Sequence, residues 1–445
     1  MLTRSEKCRS YGVVPTEHRP VRRVTPGLDA VGPYLALVFC TKNSWLDGEA
    51  MTEIRKSYAF VLPWSIDLPG GVNEVVRNLI EEFRLAGEFH PVLIENHWAS
   101  ARPVVERHAG YTHIRMRLRA LDNTHVKAPL VFLLSLPFTL RSLWQLAKEF
   151  RIDAINFHFP SLNALNWIAL RKLRLFPGKV ILSFHGSDIR TAHGLHGWAR
   201  FAYRYLLRQA DVVVCCSKGL QSEIVELEPR AKTCVIYNGI DEGRFRGVAS
   251  PTILPAKLQE NELILTIGKY TYGKAHDLLL RAFAQVLEKR PAAHLVIVGA
   301  TGPEIDKTKA AVFDSGLAEH VTLYNDLPHT AIPGMLAIAH LFVLSSRWVP
   351  GKIGEGFPVA ILEAAMAGTP VVTTRTCGAA EIIEDGVTGR LVTLEDAGAL
   401  AKAMCESLGD KEQARAMAGN LRRKVLDEFT WGRAYRLYAG LCRTV

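Results

Sequence analysis

From Lys56 onward, short apolar runs alternate with longer segments in which apolar residues recur every three or four positions. The runs "SYAFVLP" from Ser57, "HPVLIE" from His90, "DAINFHF" from Asp153, "KVILSFHG" from Lys179, "DVVVCC" from Asp211 and "TCVIYNGI" from Thr233 predict strands. The periodic segments between them predict helices over 72–86, up to about residue 150, after Ser161 and around Trp198. The last of these is assigned Trp198, Phe201 and Tyr205 towards the core, with Arg200, Arg204 and Arg208 on another face. A further strand near Ile114, "THIRMRLRAL", alternates and sets Arg115, Arg117 and Arg119 on one side. The stretch "DEGRFRGVASPTILPAKLQENE" contains proline and no periodicity, and reads as a linker. After it the alternation restarts with strands "LILTIG", "HLVIVG", "VTLY", "HLFVLSS" and "PVVTT" and a helix over 277–289. The expected class is α/β, with two doubly wound parallel sheets in tandem and a cleft between the carboxyl ends of their strands. The expected divisions are an extension 1–55, a first domain 56–245, a linker 246–262, a second domain 263–428 and a terminal helix 429–445 packing back towards the first domain.

Composition narrows the class. In 445 residues, 48% are hydrophobic and 22% charged, enough for two ordinary cores. The eight cysteines are scattered without a C-x-x-C pair, which argues against zinc and a disulfide scaffold and fits a reducing compartment. The opening thirty residues read as neither signal peptide nor span, and the greasiest stretch, "PLVFLLSLPF" over 129–138, is half the length needed to cross a bilayer. The expected location is cytoplasmic, peripheral at the cytoplasmic face of the membrane. Net charge is +10, with six bases against two acids over 102–127. An anionic membrane surface or a lipid-diphosphate acceptor is therefore a candidate partner. Nucleic acid is not, because no binding motif or aromatic platform accompanies the charge.

The chemistry concentrates at strand ends. "GEGFPVAILEAAMAGTPVV" puts Glu355 in the turn before a helix predicted to have Pro358 at its first position, and Glu363 more than a turn inside it. The N-H groups of Gly356 to Val359 form an anion site between two carboxylates, which suits a ligand carrying phosphate and hydroxyl groups. "LTIGKYTYGKAHDLL" places Lys269 and Lys274 in a strand-to-helix loop, where ammonium groups can neutralise a diphosphate. "FHGSD" ends a strand with His185, which can bond a substrate hydroxyl or shuttle a proton. "LPGGVNEVV" sets Gly70 and Gly71 in the first strand-to-helix turn, where the backbone can approach a ligand.

Together these motifs resemble the retaining glycosyltransferases of family 4, which have the GT-B fold of two Rossmann-like domains. The resemblance rests on "GG" at 70–71, "HGSD" at 185–188, "NGID" at 238–241, "GKYTYGK" at 268–274, the two glutamates of 355–363, "MAGTPVV" at 366–372 and "EIIEDGVTGRLV" at 381–392. It implies that Glu355 holds the donor sugar hydroxyls, Glu363 the ribose hydroxyls, and the turn Gly356, Phe357, Pro358 and Val359 the diphosphate through its backbone N-H groups. It further implies that Lys274 neutralises the leaving phosphate, that His185 lies near sugar and acceptor, and that the base lies near Asn325 to Leu327. The implied reaction is sugar transfer from a UDP-sugar or GDP-sugar to a glycan or lipid-linked acceptor, by an ion-pair-like route that retains configuration. No cofactor is expected, and no obligatory divalent metal, since no Asp-x-Asp occurs in the chain.

Two departures stand out. The family usually carries arginine where Lys269 stands, and "WVPGKIG" over 348–354 is longer than usual. Rival readings are an epimerase on the same fold, an inactive sugar-nucleotide-binding scaffold, and a nicotinamide-dependent dehydrogenase suggested by "VIVGATG" over 296–302. The last fails where Ile305 stands in place of a third glycine.

Overall fold

The computed structural model describes residues 56–68, 70–100, 102–118, 128–246, 261–349 and 356–443, all within one compact unit. The expected strands form two sheets. The first contains β1 (Ser57–Leu62), β2 (His90–Asn96), β3 (Val104–His108), β4 (Tyr111–Met116), β5 (Ile152–His158), β6 (Lys179–Phe184), β7 (Val212–Cys215) and β8 (Thr233–Val235). The second contains β9 (Glu262–Ile267), β10 (Ala293–Gly299), β11 (Val321–Asn325), β12 (Leu341–Leu344), β13 (Val371–Thr374) and β14 (Arg390–Val392). Strand orders are β3-β4-β2-β1-β5-β6-β7-β8 and β11-β10-β9-β12-β13-β14. Every described pairing is parallel except β3 with β4.

Burial on both faces explains the unbroken apolar runs. Along β1, Tyr58, Phe60 and Leu62 enter one core with Phe83 and Leu93, while Ala59 and Val61 enter another with Val92 and Phe157. The first core is closed by the last helix, Trp431–Arg443, whose Trp431, Ala434, Tyr438 and Ala439 are buried in it. Tyr435 and Arg443 on that helix bond Glu88, which follows the helix Gly71–Ala86.

Two sequence readings need correction. The strand β3 was not foreseen: it is an antiparallel edge with mostly exposed side chains, joined to β4 through Ala109 and Gly110, the latter at φ +95°. In the helix Gly197–Gln209 the buried stripe is Ala199, Tyr203, Leu206 and Leu207, so Trp198 and Phe201 are 43% and 69% exposed rather than in the core, with Tyr205 half-buried. A stripe holding two leucines and a tyrosine won over one holding the aromatic residues of the first turn. The described arginines lie on the sides the sequence assigns them, where several are paired. Arg115 pairs with Glu106 and Arg117 donates to the Trp98 carbonyl. Arg204 and Arg208 reach buried Glu228, and Arg119 lies outside the described residues.

Both sheets reverse their winding at the strand that starts them, between β1 and β5 and between β9 and β12. The loops after those strands are where open sheets gather ligand-binding groups. No described helix is long and apolar enough to cross a membrane.

Candidate functional site

In the first sheet, the loop after β1 is held from below. Asn73 Nδ2 donates to the carbonyls of Ser65, Ile66 and Leu68 at 3.0, 3.1 and 2.7 Å, and its Oδ1 accepts from Trp64 Nε1 at 2.8 Å. That pins the approach to Gly70 and Gly71, above which a side chain would meet nothing within 4 Å. The two glycines thus begin the helix Gly71–Ala86 facing open space.

At the end of β6, Asp188 folds back on the turn and accepts from the N-H groups of His185 and Gly186, each at 2.8 Å. Burial pushes the Asp188 pKa up to about 6 against those hydrogen bonds. The His185 ring meets His158, from β5, with 3.0 Å between Nε2 and Nδ1. Burial lowers the pKa of both rings, that of His185 to about 4.

In the second sheet, the loop after β9 makes a 3-10 turn, Tyr272–Lys274, and then Ala275 takes φ +51° before the helix His276–Lys289. Lys274 lays its aliphatic stem over Gly268, where a Cβ would meet its Cδ and Cε at 2.9 Å. Arg347 fastens this loop: it is buried, donates from its backbone to Gly273 O at 2.8 Å, and forks onto Asp277 and Glu395. Its side chain also reaches Tyr272 O at 3.1 Å and lies over the Tyr272 ring. Lys269 is exposed on the far side, where its charge adds to the bonds from Thr301 that hold the Asp326 pKa low. Asn325 and Leu327 flank that aspartate at the end of β11, Asn325 exposed and Leu327 half-buried.

The segment quoted first for its two glutamates is described from Gly356 onward, and Glu355 lies outside the described residues. The helix spans Val359–Ala367, so Pro358, at φ −80°, caps it instead of occupying its first position. Pro358 carries no N-H, and that of Val359 donates to Phe357 O at 3.1 Å. The amides of the expected anion site that remain are those of Gly356 and Phe357. The Phe357 ring turns inward, within 5.5 Å of both Tyr237 and Phe429. Glu363 is buried, and its Oε1 has no hydrogen-bond partner although His329 Nε2 stands 3.1 Å away, outside bonding geometry. An unpaired buried carboxylate oxygen is costly unless a ligand satisfies it.

The two halves touch here. A Cβ on Gly356 would lie 2.4 Å from the His185 carbonyl oxygen, so only glycine brings the helix 359–367 up to the end of β6. Beside it, Glu381 Oε1 accepts from the N-H groups of Lys218 and Gly219 at 2.7 and 3.3 Å, and Oε2 accepts from Tyr237 OH at 2.8 Å. His185 and Lys274 thus follow strand ends of the two sheets, while Gly356 leads into, and Glu363 lies within, the helix after β12. Asn73, His158, Asp188, Arg347 and Glu381 were missed as site-building residues. Asn73, Asp188 and Glu381 fell inside quoted motifs, and the polar residue next to a glycine turn or a helix start was the available signal.

Two family models divide the described chain between them: Glycosyltransferase Family 4 matches residues 69–244 and Glycosyl transferases group 1 matches 255–424. The putative colanic acid biosynthesis glycosyltransferase WcaL of Escherichia coli K12 is 30% identical over 289 residues, 64% of this chain and 69% of that protein. The chain belongs to glycosyltransferase family 4. Another relative is the GDP-mannose-dependent alpha-(1-6)-phosphatidylinositol monomannoside mannosyltransferase of Mycolicibacterium smegmatis, 28% identical over 69% of this chain and 80% of its own length. Sucrose-phosphate synthase from Thermosynechococcus elongatus superposes with a TM-score of 0.68 at 21% identity, over 87% of this chain and 98% of that one. Anabaena HepE, solved in complex with UDP and glucose, gives 0.66 at 17% identity over 87% and 99%. These structures share the GT-B fold, and this family 4 protein is a glycosyltransferase.

Among the described residues, Glu106, His108 and His113 bring three metal-ligating atoms within 4.8 Å of one another. The group lies on the outer hairpin β3-β4, where Arg115 pairs with Glu106 and Glu95 stands against His113. Glu95 also accepts from the Ile66 N-H at 2.9 Å, which ties this group to the loop before Gly70.

The buried groups fix an acid dependence. His158 and His185 have folded pKa values below the ordinary 6.5, so between that value and about 4 the unfolded chain takes up protons that the native site refuses. Their stabilisation is present above pH 6.5 and is lost as pH falls towards 4. Asp188, raised from 3.8 to about 6, opposes them, since its ionised form disfavours the native state as pH rises through that window. Urea midpoints measured from pH 7.5 to 4.5 are expected to fall, and to fall more steeply in Asp188→Asn. A flat wild-type profile would contradict this balance.

Proposed function

We propose that this glycosyltransferase moves a hexose from a UDP-sugar or GDP-sugar, with retained anomeric configuration and no obligatory divalent ion, to a lipid-linked or surface-glycan acceptor. The observation that carries the donor reading is the buried Oε1 of Glu363, without a hydrogen bond and more than a turn inside the helix that the Gly356 and Phe357 amides precede. A nucleoside diphosphate supplies both partners: ribose hydroxyls donate to the carboxylate and the diphosphate accepts from the amides. Lys274, oriented by its stem on Gly268, neutralises charge on the departing phosphate, with Lys269 as a second, more exposed cation. Glu355, next in the chain to Gly356, takes the sugar hydroxyls, and Asn325 with Leu327 borders the base. His185 meets the sugar from the other sheet. Departure of the phosphate assists attack from the same face, which accounts for retention without a protein nucleophile. The fixed cations and amides take the charge-stabilising part that a metal plays elsewhere.

For the acceptor, the names of the relatives point to phosphatidylinositol mannosides and colanic acid, and one surface of this chain agrees. On the helix Ala128–Glu149, Leu130, Leu133, Leu134 and Phe138 are each more than half exposed, and the same outward stripe continues as Arg141, Gln145 and Lys148. Beside Phe138 lies a hollow lined by Ser100, Arg102, Arg117 and Thr139. An apolar stripe bordered by bases suits the surface of an anionic bilayer, where a lipid-linked acceptor would be presented.

Thermal unfolding with UDP, GDP, ADP and NAD in parallel tests the donor site. At about 100 times the dissociation constant one nucleotide should add roughly 2.7 kcal/mol, a shift of a few degrees. Glu363→Ala should abolish that shift while leaving the unliganded midpoint equal or higher, because it removes a buried unpaired carboxylate. A shift with NAD alone, or with none, would overturn the reading. Turnover should survive a chelator; loss in chelator with recovery in manganese would refute the metal-free route. For the membrane, flotation with phosphatidylcholine vesicles should show binding only once phosphatidylglycerol is included. The double variant Leu133→Glu, Phe138→Glu should weaken it on the order of tenfold. Equal binding by that variant would sink the assignment of this face.

A further inference from the structure

A line of hydrogen bonds runs from the last helix to the His185 ring. Tyr438 OH lies 3.3 Å from Ser183 Oγ, Ser183 Oγ donates to Asn156 Oδ1 at 2.8 Å, and Asn156 Nδ2 stands 3.1 Å from His158 Nε2. His158 Nδ1 is then 3.0 Å from His185 Nε2. The two imidazole planes are 18° apart with 5.2 Å between ring centres, a separation that fits head-on N-H···N contact rather than face-to-face stacking. Asn156 and His158 are fully buried, and Ser183 and Tyr438 nearly so.

Because Tyr438, Ser183, Asn156 and His158 are buried, each atom's role follows from its neighbour. An amide nitrogen only donates, so His158 Nε2 accepts. A neutral ring then carries its proton on Nδ1 and gives that bond to His185 Nε2. The proton of neutral His185 is left on its own Nδ1, and that atom is buried without a hydrogen-bond partner. At the other end, the Ser183 hydrogen is committed to Asn156, so Ser183 Oγ accepts from Tyr438. Every donor along the line points the same way, from the C-terminal helix to the facing strand ends. Low folded pKa values keep both rings neutral at physiological pH.

We propose that Tyr438, Ser183, Asn156 and His158 are positioning residues that lock His185 in its Nδ1-H tautomer, so that it meets the sugar or acceptor as a fixed hydrogen-bond donor and not as a base. This rests on the reading that sets His185 beside the transferred sugar. The choice between bonding a hydroxyl and shuttling a proton, open in the sequence, is thereby made by residues on β5, β6 and the last helix. A donor whose proton is pinned from behind needs no reorientation as charge develops on the oxygen it faces.

Long-range proton–nitrogen correlation spectra of the full-length protein, labelled at histidine nitrogen and free of substrate, report the tautomer directly. His185→Gln identifies the signals. The expected result is a protonated Nδ1 and an unprotonated Nε2 for His185. In Asn156→Asp the ionised carboxylate can only accept, so the line should reverse and His185 should become protonated on Nε2. In that variant kcat should fall on the order of tenfold or more, with the thermal shift by UDP or GDP retained. A wild-type His185 protonated on Nε2 would overturn the proposal, as would a lower kcat in Asn156→Asp with an unchanged tautomer. Should that variant fail to fold, the wild-type spectrum still decides. Loss of the nucleotide shift in the wild type would count against the donor site alone, because the tautomer is read without a ligand.

Discussion

Backbone contact between the two sheets is the constraint on which the site depends. Gly356 reaches the His185 carbonyl so closely that any side chain at 356 would collide with it. The neighbouring contact is equally intolerant, since a Cβ on Gly219 would lie 2.2 Å from that of Cys377. Glu381 completes the seam by occupying the N-terminal amides of the helix Lys218–Leu227, where unpaired N-H groups and the helix dipole favour an anion. Part of the first sheet's anion-binding capacity is thus committed to holding the second sheet. Tyr237, Phe357 and Phe429 pack mutually across the same seam, so the loop that begins the helix Val359–Ala367 is fixed by an aromatic cluster on its inner side. Reacting groups carried on two sheets gain from such rigid placement, because small misplacements cost rate steeply.

The parts of the fold legible in the sequence were those buried on both sides. Strands such as β1 and β10 announce themselves as unbroken apolar runs because cores flank each face. β3 was invisible for the opposite reason, since Val104 and Val105 are exposed on an edge and run straight into Glu106, Arg107 and His108. Its trace was the Ala109-Gly110 pair between two short alternating runs. Trp198 and Phe201 misled because aromatic size suggests a core, whereas the stripe through Tyr203 and Leu207 decides which side of that helix is covered. The same two residues now count among the exposed apolar groups of the first domain.

At the site, sequence order sufficed to bring His185 and Lys274 to strand ends and Glu363 into the helix after β12, because parallel sheets deliver their loops to one edge. It did not suffice for residues whose neighbours come from other strands. His158 meets His185 only because β5 lies beside β6 with His158 opposite Ser183, and Tyr438 arrives from more than two hundred residues further along the chain. Arg347 could have passed for a phosphate ligand, yet burial between Asp277 and Glu395 makes it the fastening of the Lys274 loop. The exchange of arginine for Lys269 also looks different in three dimensions. The ammonium charge helps hold the Asp326 carboxylate ionised, alongside the bonds from Thr301, so Lys269 is engaged with an acid of its own sheet.

A crystal structure of the full-length protein with bound UDP or GDP tests the central claim most directly. The account predicts the ribose on Glu363, the diphosphate within hydrogen-bond reach of the Gly356 and Phe357 amides, and the Lys274 ammonium on the terminal phosphate. A nucleotide seated instead along the Gly299–Gly302 turn, with Glu363 Oε1 still unpaired, would contradict it.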